Sequence, residues 1–100
     1  MYVRGTRYSF TGNGADEGGK IYNGKAKPMW SGQKGFHSMQ RFRIADGPYK
    51  DQGYVVLRFE SKDAWEKARE ACASQRDEML KGLETAGVKA EEVMELEEIV

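Results

Sequence analysis

The sequence has few of the residues from which cross-links and metal sites are made. Its 100 residues include one cysteine, Cys72, and one histidine, His37. A single cysteine cannot form an internal disulfide, and a protein zinc site needs several Cys, His or carboxylate ligands close together. Cys72 also falls on an apolar helical stripe, where it is expected to pack as a small hydrophobic residue. We therefore expect no disulfide, no metal site and no metal cofactor.

Long hydrophobic runs and excess charge of one sign are also missing. No apolar segment approaches the roughly 20 residues that cross a bilayer, and residues 1–5 do not have the character of a signal peptide. Lys and Arg number 16 against 16 Asp and Glu, so the formal net charge is zero. A neutral chain lacks the long-range attraction that favours nucleic acid or anionic membranes. We expect a soluble cytoplasmic protein without a membrane partner.

The composition is that of a small globular domain. Hydrophobic residues make up 39% of the chain and aromatic residues 11%, which is enough to form a core. Two independent cores in 100 residues would each be close to the lower size limit for stable folding. We therefore predict a single domain over residues 1–100.

Three segments have the alternation of β-strands. Tyr2–Phe10 alternates side chains of β-favouring types, and Phe36–Ala45 alternates in the same way. Tyr54–Phe59 is apolar on both sides, which is typical of an interior strand. Glu92–Val100 is predicted to be a fourth strand, although Val93, Leu96 and Val100 also fit a helical spacing.

Two further segments have helical spacing. Residues 16–34 carry apolar side chains mainly three and four positions apart, but three glycines and Pro28 predict a short or broken helix that ends at Gly35. From Ser61, a good N-cap, one continuous helix of some 22 residues is predicted to run toward Gly87.

The order β-α-β-β-α-β predicts an α+β, ferredoxin-like sandwich in which two helices cover one face of a four-stranded antiparallel sheet. The central strand is apolar on both sides, and Tyr2, Tyr8 and Phe42 are expected to add aromatic area to the uncovered face. A second copy of the chain is the simplest cover for that face, so we predict a homodimer. Basic strand two and acidic strand four are both expected at sheet edges, where they either pair between subunits or simply remain solvated.

Two stretches resemble a known family. They are GFHSMQRFR at residues 35–43 and GYVVLRFESKDAW at residues 53–65, and the likeness extends over roughly residues 28–75 with Pro28-Met29-Trp30 before it. They resemble the dimeric α/β-barrel superfamily, in particular the antibiotic-biosynthesis-monooxygenase-like proteins. The first helix differs from the family pattern because it contains glycines and a proline.

The resemblance implies a homodimeric barrel that binds a small molecule, with cofactor-independent monooxygenation of a small aromatic or polyketide-like substrate as the expected activity. Haem-degrading members are expected to carry a ligating histidine on the second helix, and residues 62–86 contain none. Accordingly, we expect no cofactor.

Several side chains are candidates for the site. Stacking and orienting hydrogen bonds to a planar ligand are expected from Tyr8, Tyr22, Asn23 and Trp30, and an oxyanion is expected to bind Arg41. The resemblance adds Trp65 at the family's tryptophan position, and His37 is the candidate for proton transfer because histidine is the side chain most often used as a general acid or base. The alternatives are packing of Trp65 in the core and a surface role for His37.

Two other functions compete with the enzyme. Residues 1–5 and 53–59 partly imitate the strand motifs of an RNA-recognition motif, but Val56 stands where a stacking aromatic is needed. A homodimer with a structural or regulatory role is the other alternative. The spacing of a phosphate-binding loop in residues 14–20 is discounted because Asp16 and Glu17 would repel phosphate and Ile21 lacks a metal-binding hydroxyl.

Overall fold

The computed structural model describes residues 1–99 and shows one antiparallel sheet with helices on one face. The elements are β1 (Tyr2–Phe10), α1 (Gly14–Ile21), a π-helical turn (Tyr22–Ala26), α2 (Lys27–Ser31), β2 (Phe36–Arg43), β3 (Gly53–Phe59), α3 (Lys62–Ala71), α4 (Ala73–Ala86) and β4 (Val88–Leu96). The strand order β2-β3-β1-β4 places the basic and acidic strands at opposite edges, as predicted. The ferredoxin-like α+β fold is therefore confirmed. Within residues 1–99, no helix combines the length and hydropathy needed to cross a membrane.

Strand register separates the two faces of the sheet. Tyr2 pairs with Phe59 and Tyr8 with Gly53, so the even-numbered side chains of β1 share a face with the odd-numbered side chains of β3. This face carries the core, because Phe59 is fully buried and Trp30 packs edge-on against it with ring centroids 5.9 Å apart. The helices therefore cover this side, which is called the helix face below.

The opposite side of the sheet, called the open face, has no helix on it. Tyr54 lies across it above Gly5, where a Cβ atom would come within 2.0 Å of the phenol oxygen. Phe42 and Leu96 lie on the open face toward the two edges, and both are exposed. The central strand is thus apolar on both sides, as predicted.

Two tyrosines predicted for the open face are instead on the helix face. Tyr2 is buried against Trp65, with ring centroids 5.3 Å apart, and Tyr8 lines a cavity beneath the helices. The even-numbered side chains of β1 lie on the helix face, so the prediction that Tyr2 and Tyr8 contribute to the open face is wrong. Phe42 does face the open side. Because Tyr2 points inward, one aromatic side chain of the supposed RNA-recognition motif is unavailable for base stacking.

The first helical segment is more regular than predicted. Backbone helix continues from Gly14 to Ser31 and gives way at Gly32, three residues before the predicted end at Gly35. The break takes the form of a π turn, in which the Lys27 amide donates to the Tyr22 carbonyl. A proline in an α-helix clashes with the carbonyl four residues earlier, and the wider turn just before Pro28 accommodates its ring.

The second helix is interrupted where continuity was predicted. Ser61 does cap it, since its hydroxyl accepts from the Ala64 amide at 3.1 Å, and Gly87 does end it in a left-handed conformation. Between them Cys72 leaves helical geometry with φ −112° and ψ 23°, which separates α3 from α4. Cys72 is buried in the core, and the change of direction after it lets α4 approach α1.

Four strand boundaries differ from the prediction. β2 ends at Arg43 rather than Ala45, and β3 begins one residue earlier, at Gly53. The last segment is a strand, but it spans Val88–Leu96 because Val88, directly after the helix, is already buried and paired with Phe10. The strand also ends earlier than predicted, because residues 97–99 are not part of β4, and Val100, the last residue of the predicted strand, lies outside the described residues.

Candidate functional site

An apolar cavity lies between the helix face of the sheet and the helices. Its lining comes from every helical segment except α3 and from all four strands, and comprises Tyr8, Phe10, Gly18, Ile21, Tyr22, Ala26, Trp30, Met39, Arg41, Gly53, Val55, Met79, Leu83 and Val88. The cavity has a volume of about 80 Å³. That space accommodates a few water molecules, whereas a pocket for a drug-sized ligand usually has about 300–1,000 Å³.

The π turn gives the cavity its helical wall. Gly18, Tyr22, Ala26 and Trp30 all line the cavity and are spaced four residues apart. In an uninterrupted α-helix the first and last of these would be rotated by about 120° relative to each other. The extra residue of the π turn compensates most of that rotation, so one wall extends from α1 to α2.

Glycine allows the neighbouring strands to approach this wall closely. A Cβ on Gly18 would be 3.0 Å from a methyl group of Val88 in β4. A Cβ on Gly19 would be 3.0 Å from Nη1 of Arg41 in β2. The glycines that make the helix look weak in sequence are therefore positions where α1 contacts the strands.

Arg41 bridges the edge of the sheet and the first helix. Its side chain lies along Gly19, and its Nη2 donates a hydrogen bond of 2.9 Å to the carbonyl oxygen of Ala15. Arg41 is exposed overall, although it also lines the cavity. It therefore lies at the mouth, between the apolar interior and solvent.

A larger polar groove continues outward from this mouth. The outer groove has a volume of about 600 Å³, and it shares Phe10, Tyr22, Met39, Arg41 and Gly53 with the cavity. Most of its other lining residues are polar or charged, and these residues are Ala15, Asp16, Asn23, Lys27, Gln40, Phe42, Arg43, Asp51 and Gln52. The inner cavity and the outer groove together form one site with an apolar end and a polar end.

Both phenols in the cavity wall are held in the neutral form at pH 7. Burial raises the pKa of Tyr22, and the positive charge of Arg41 offsets part of that rise. Burial likewise raises the pKa of Tyr8, against smaller opposing effects of a hydrogen bond from Thr6 and the charge of Arg4. Neutral phenols can donate a hydrogen bond to a carbonyl or anionic oxygen of a ligand.

The structure brings together the ligand-binding residues predicted from the sequence. Tyr8 and Trp30 line the inner cavity, Asn23 the outer groove, and Tyr22 and Arg41 the boundary between the two. These side chains come from β1, β2 and the first helical segment, which are separated by up to 33 positions along the chain. A planar ligand that contacts all five would span both parts of the site.

The structure places His37 and Trp65 elsewhere. His37 is exposed at the bulge in β2, where the pairing with β3 shifts between Phe36 and Ser38. Trp65 is buried in the core, with the Arg4 guanidinium 4.5 Å from its ring centroid. Both lie outside the linings of the inner cavity and outer groove, and their catalytic roles stay predictions.

Sequence analysis missed most of the apolar lining. Phe10 and Met39 could have been found, because the strand alternation places them on the same side as Tyr8 and Arg41 respectively. Met79 and Leu83 belong to the same apolar stripe of the second helix as Cys72. Such a stripe looks the same in sequence whether it fills a core or borders a cavity.

The fold has counterparts among solved structures. SnoaB from Streptomyces nogalater, described as a cofactor-independent oxygenase, superposes with a TM-score of 0.76 at 16% identity, covering 99% of this chain and 93% of that one. HapK from Hahella chejuensis gives a TM-score of 0.76 at 13% identity over 99% of this chain and 93% of that one. The ActVA-Orf6 monooxygenase of Streptomyces coelicolor, solved in complex with nanaomycin D, gives 0.71 at 14% identity over 99% and 89%.

This chain has the ferredoxin-like fold of the antibiotic-biosynthesis-monooxygenase-like proteins, which confirms at the level of the fold the resemblance found in its sequence. No protein-family model matches the chain, and neither does any curated protein sequence. At 13 to 16% identity these structures establish the architecture, and the chemistry has to be argued from the site.

Proposed function

We propose that the protein binds a small planar aromatic molecule in the combined cavity and groove, and oxidises it with molecular oxygen without a cofactor. The observation that carries the proposal is the site itself, which has Trp30 in its apolar interior and Arg41 at its mouth. Aromatic walls favour a flat ring, and a guanidinium stabilises the oxyanion that forms when a hydroxylated ring loses a proton. The fold shared with a cofactor-independent oxygenase supports the same activity.

In the proposed reaction the substrate supplies the electrons. A hydroxylated aromatic compound with an activated ring methylene loses a proton and becomes electron-rich enough to react with O₂. One oxygen atom becomes a carbonyl oxygen at the methylene carbon, and the other leaves as water with the two methylene hydrogens. Arg41 acts by stabilising the anion, and the half-buried phenols of Tyr8 and Tyr22 orient it by donating hydrogen bonds.

We also propose that the working form is a homodimer joined through the open face. Phe42 and Leu96 are exposed on this face and Tyr54 and Met94 are half-buried, so a second copy would bury apolar side chains from β2 to β4. A two-fold dimer uses the same surface of both subunits. The inner cavity lies on the helix face and would stay outside this interface, whereas Phe42 would bring one side of the outer groove next to the partner subunit.

Oxygen consumption tests the activity. With 1,8-dihydroxyanthrone as the probe, we expect protein-dependent oxygen uptake above the rate of spontaneous oxidation. Arg41→Gln should lower that rate at least about tenfold, as is typical when a residue that stabilises a developing anion is lost. Lys81→Gln is the matched control, since it removes the same charge from an exposed position on α4 that lies outside both the cavity and the groove.

A folded wild-type protein that leaves the spontaneous oxidation rate unchanged would contradict the enzyme and favour a structural or regulatory dimer. The same assay tests the predicted catalytic residues. His37→Ala and Trp65→Phe should each lower the uptake, and unchanged rates in folded variants would remove those roles.

A further inference from the structure

The inner cavity alone does not hold the ring of an aromatic ligand. Its volume of about 80 Å³ is well below that of usual ligand pockets, whereas the outer groove offers about 600 Å³. A bound bicyclic ring must therefore extend from one into the other. The side chain of Arg41 lies on this boundary, held between the sheet edge and α1.

The guanidinium of Arg41 has a replaceable partner. Its hydrogen bond goes to the neutral carbonyl oxygen of Ala15. Among residues 1–99, no carboxylate lies within ion-pair distance of Arg41, whereas the neighbouring Arg43 is 3.5 Å from Asp51. An anionic oxygen makes a shorter and stronger hydrogen bond to a guanidinium than a neutral carbonyl does. A ligand carboxylate would therefore displace Ala15 as the acceptor.

The charges around the outer groove agree with an anionic group there. Three cations, Lys27, Arg41 and Arg43, line the groove, against the two carboxylates of Asp16 and Asp51. Asp51 is paired with Arg43, which leaves Lys27 and Arg41 as the groove cations without an ion pair among residues 1–99, and Arg41 is the one that also lines the inner cavity. A planar guanidinium matches the two oxygens of a carboxylate, and its remaining N–H donors can still stabilise the oxyanion of the proposed reaction.

We propose that Arg41 is a gate, and that this site selects a flat aromatic ring that carries a carboxylate. In the closed state Arg41 bonds to Ala15 and separates the inner cavity from the outer groove. In the bound state it releases Ala15, binds the ligand carboxylate in the outer groove and lets the ring enter between Tyr22 and Met39. This inference rests on the proposed function only in placing the ligand in the same site.

Calorimetric titration with two probes tests the gate. The probes are 2-naphthoate and 2-naphthalenemethanol, which share a ring system and differ in charge. Wild-type protein should bind the acid about tenfold or more tighter than the alcohol, since a charge-assisted bond forms in the first case. Arg41→Gln should abolish this preference and bind the alcohol at least as tightly as wild type does, because the gate no longer closes.

Lys81→Gln is the control, because it also removes one positive charge but lies exposed on α4 outside the linings of the cavity and the groove, and it should keep the wild-type preference. Arg41→Lys keeps a positive charge without the planar fork, so it should retain part of the preference. The gate is overturned if wild-type protein binds neither probe, if Arg41→Gln still prefers the acid, or if Arg41→Gln weakens both probes equally. The titration measures binding and not oxidation. The preference for the acid can therefore be present without oxygen uptake, or be missing in an active enzyme, so the experiment distinguishes the gate from the proposed function.

A second pair of variants addresses the hydrogen bond itself. Gly19→Ala places a methyl group 3.0 Å from Nη1 of Arg41, so the guanidinium must shift from its position along α1. Gly24→Ala is the matched control within the same helical segment, because its methyl group meets open space among the described residues. Gly19→Ala should change the ratio of the two affinities by at least about threefold while Gly24→Ala leaves it unchanged, since only the former disturbs this charge-assisted donor. If the ratio of acid to alcohol affinity is the same in Gly19→Ala and Gly24→Ala, the contact of Arg41 with α1 does not hold the gate closed.

Discussion

Truncation of Leu96 tests the proposed dimer, because a second leucine provides a control. Leu96 on the open face is 40% exposed, and Leu80 on α4 is 37% exposed on the other side of the molecule. Complete burial of a leucine side chain contributes about 1.5–3 kcal/mol, so burial of the remaining 40% contributes about 0.6–1.2 kcal/mol. A two-fold interface buries two copies, which gives about 1.2–2.4 kcal/mol.

That free energy corresponds to an increase of about 8- to 60-fold in the dimer dissociation constant of Leu96→Ala. Sedimentation equilibrium over a range of concentrations measures it, and Leu80→Ala should leave the constant within about threefold of wild type because its side is outside the interface. The reasoning is refuted if wild-type protein is monomeric at high micromolar concentration. It is equally refuted if Leu80→Ala weakens association as much as Leu96→Ala does.

Two further predictions concern stability. Gly87→Ala should lower the free energy of unfolding, measured with urea, by more than about 1 kcal/mol, since Gly87 has φ +90° and the added Cβ would lie 2.5 Å from the Thr11 carbonyl oxygen. Gly12→Ala is the control, because Gly12 also has a positive φ of +55° but its Cβ would meet open space among the described residues. A smaller loss in Gly12→Ala separates the steric clash from the backbone effect. The ammonium group of Lys62, 3.0 Å from Glu95, lowers the pKa of that carboxyl below its usual value. The ion pair therefore stabilises the fold above the unfolded pKa near 4.5, and this stabilisation is lost as pH falls through the lower folded pKa. Glu95→Gln should lose less stability in acid than wild-type protein does, and an identical dependence of the unfolding free energy on pH would contradict the assignment.

Local chemistry was sufficient to predict most of the fold. The alternation in Tyr2–Phe10 predicted the strand to the residue, and Ser61 and Gly87 marked the limits of the second helical region. These features depend on side chains within a few positions of one another. The break at Cys72 does not, since it follows from how α3 packs in the core and α4 against α1.

The polar and aromatic residues of the site could be predicted from the sequence, but the close contacts between helix and strands that form its walls could not. Aromatic and cationic side chains such as Trp30 and Arg41 stand out in a sequence because they bind ligands more often than aliphatic residues do. The roles of Gly18 and Gly19 depend on Val88 and Arg41, which are distant along the chain. The low helix propensity of glycine therefore predicted a weak helix at Gly18 and Gly19, whereas in the structure these residues allow α1 to contact β4 and β2 closely.

The π turn has a consequence for which changes of length the chain can tolerate. Two packing contacts anchor the segment that contains it, Gly18 against Val88 at one end and Trp30 against Phe59 at the other. Deleting one residue between these anchors would turn one of them about 100° away from its partner, because each helical residue contributes that rotation. Insertions and deletions should be accepted in the surface loop at residues 45–50, which lie outside the cavity and the groove, whereas the residue count from 18 to 30 is fixed by the phase of the helix.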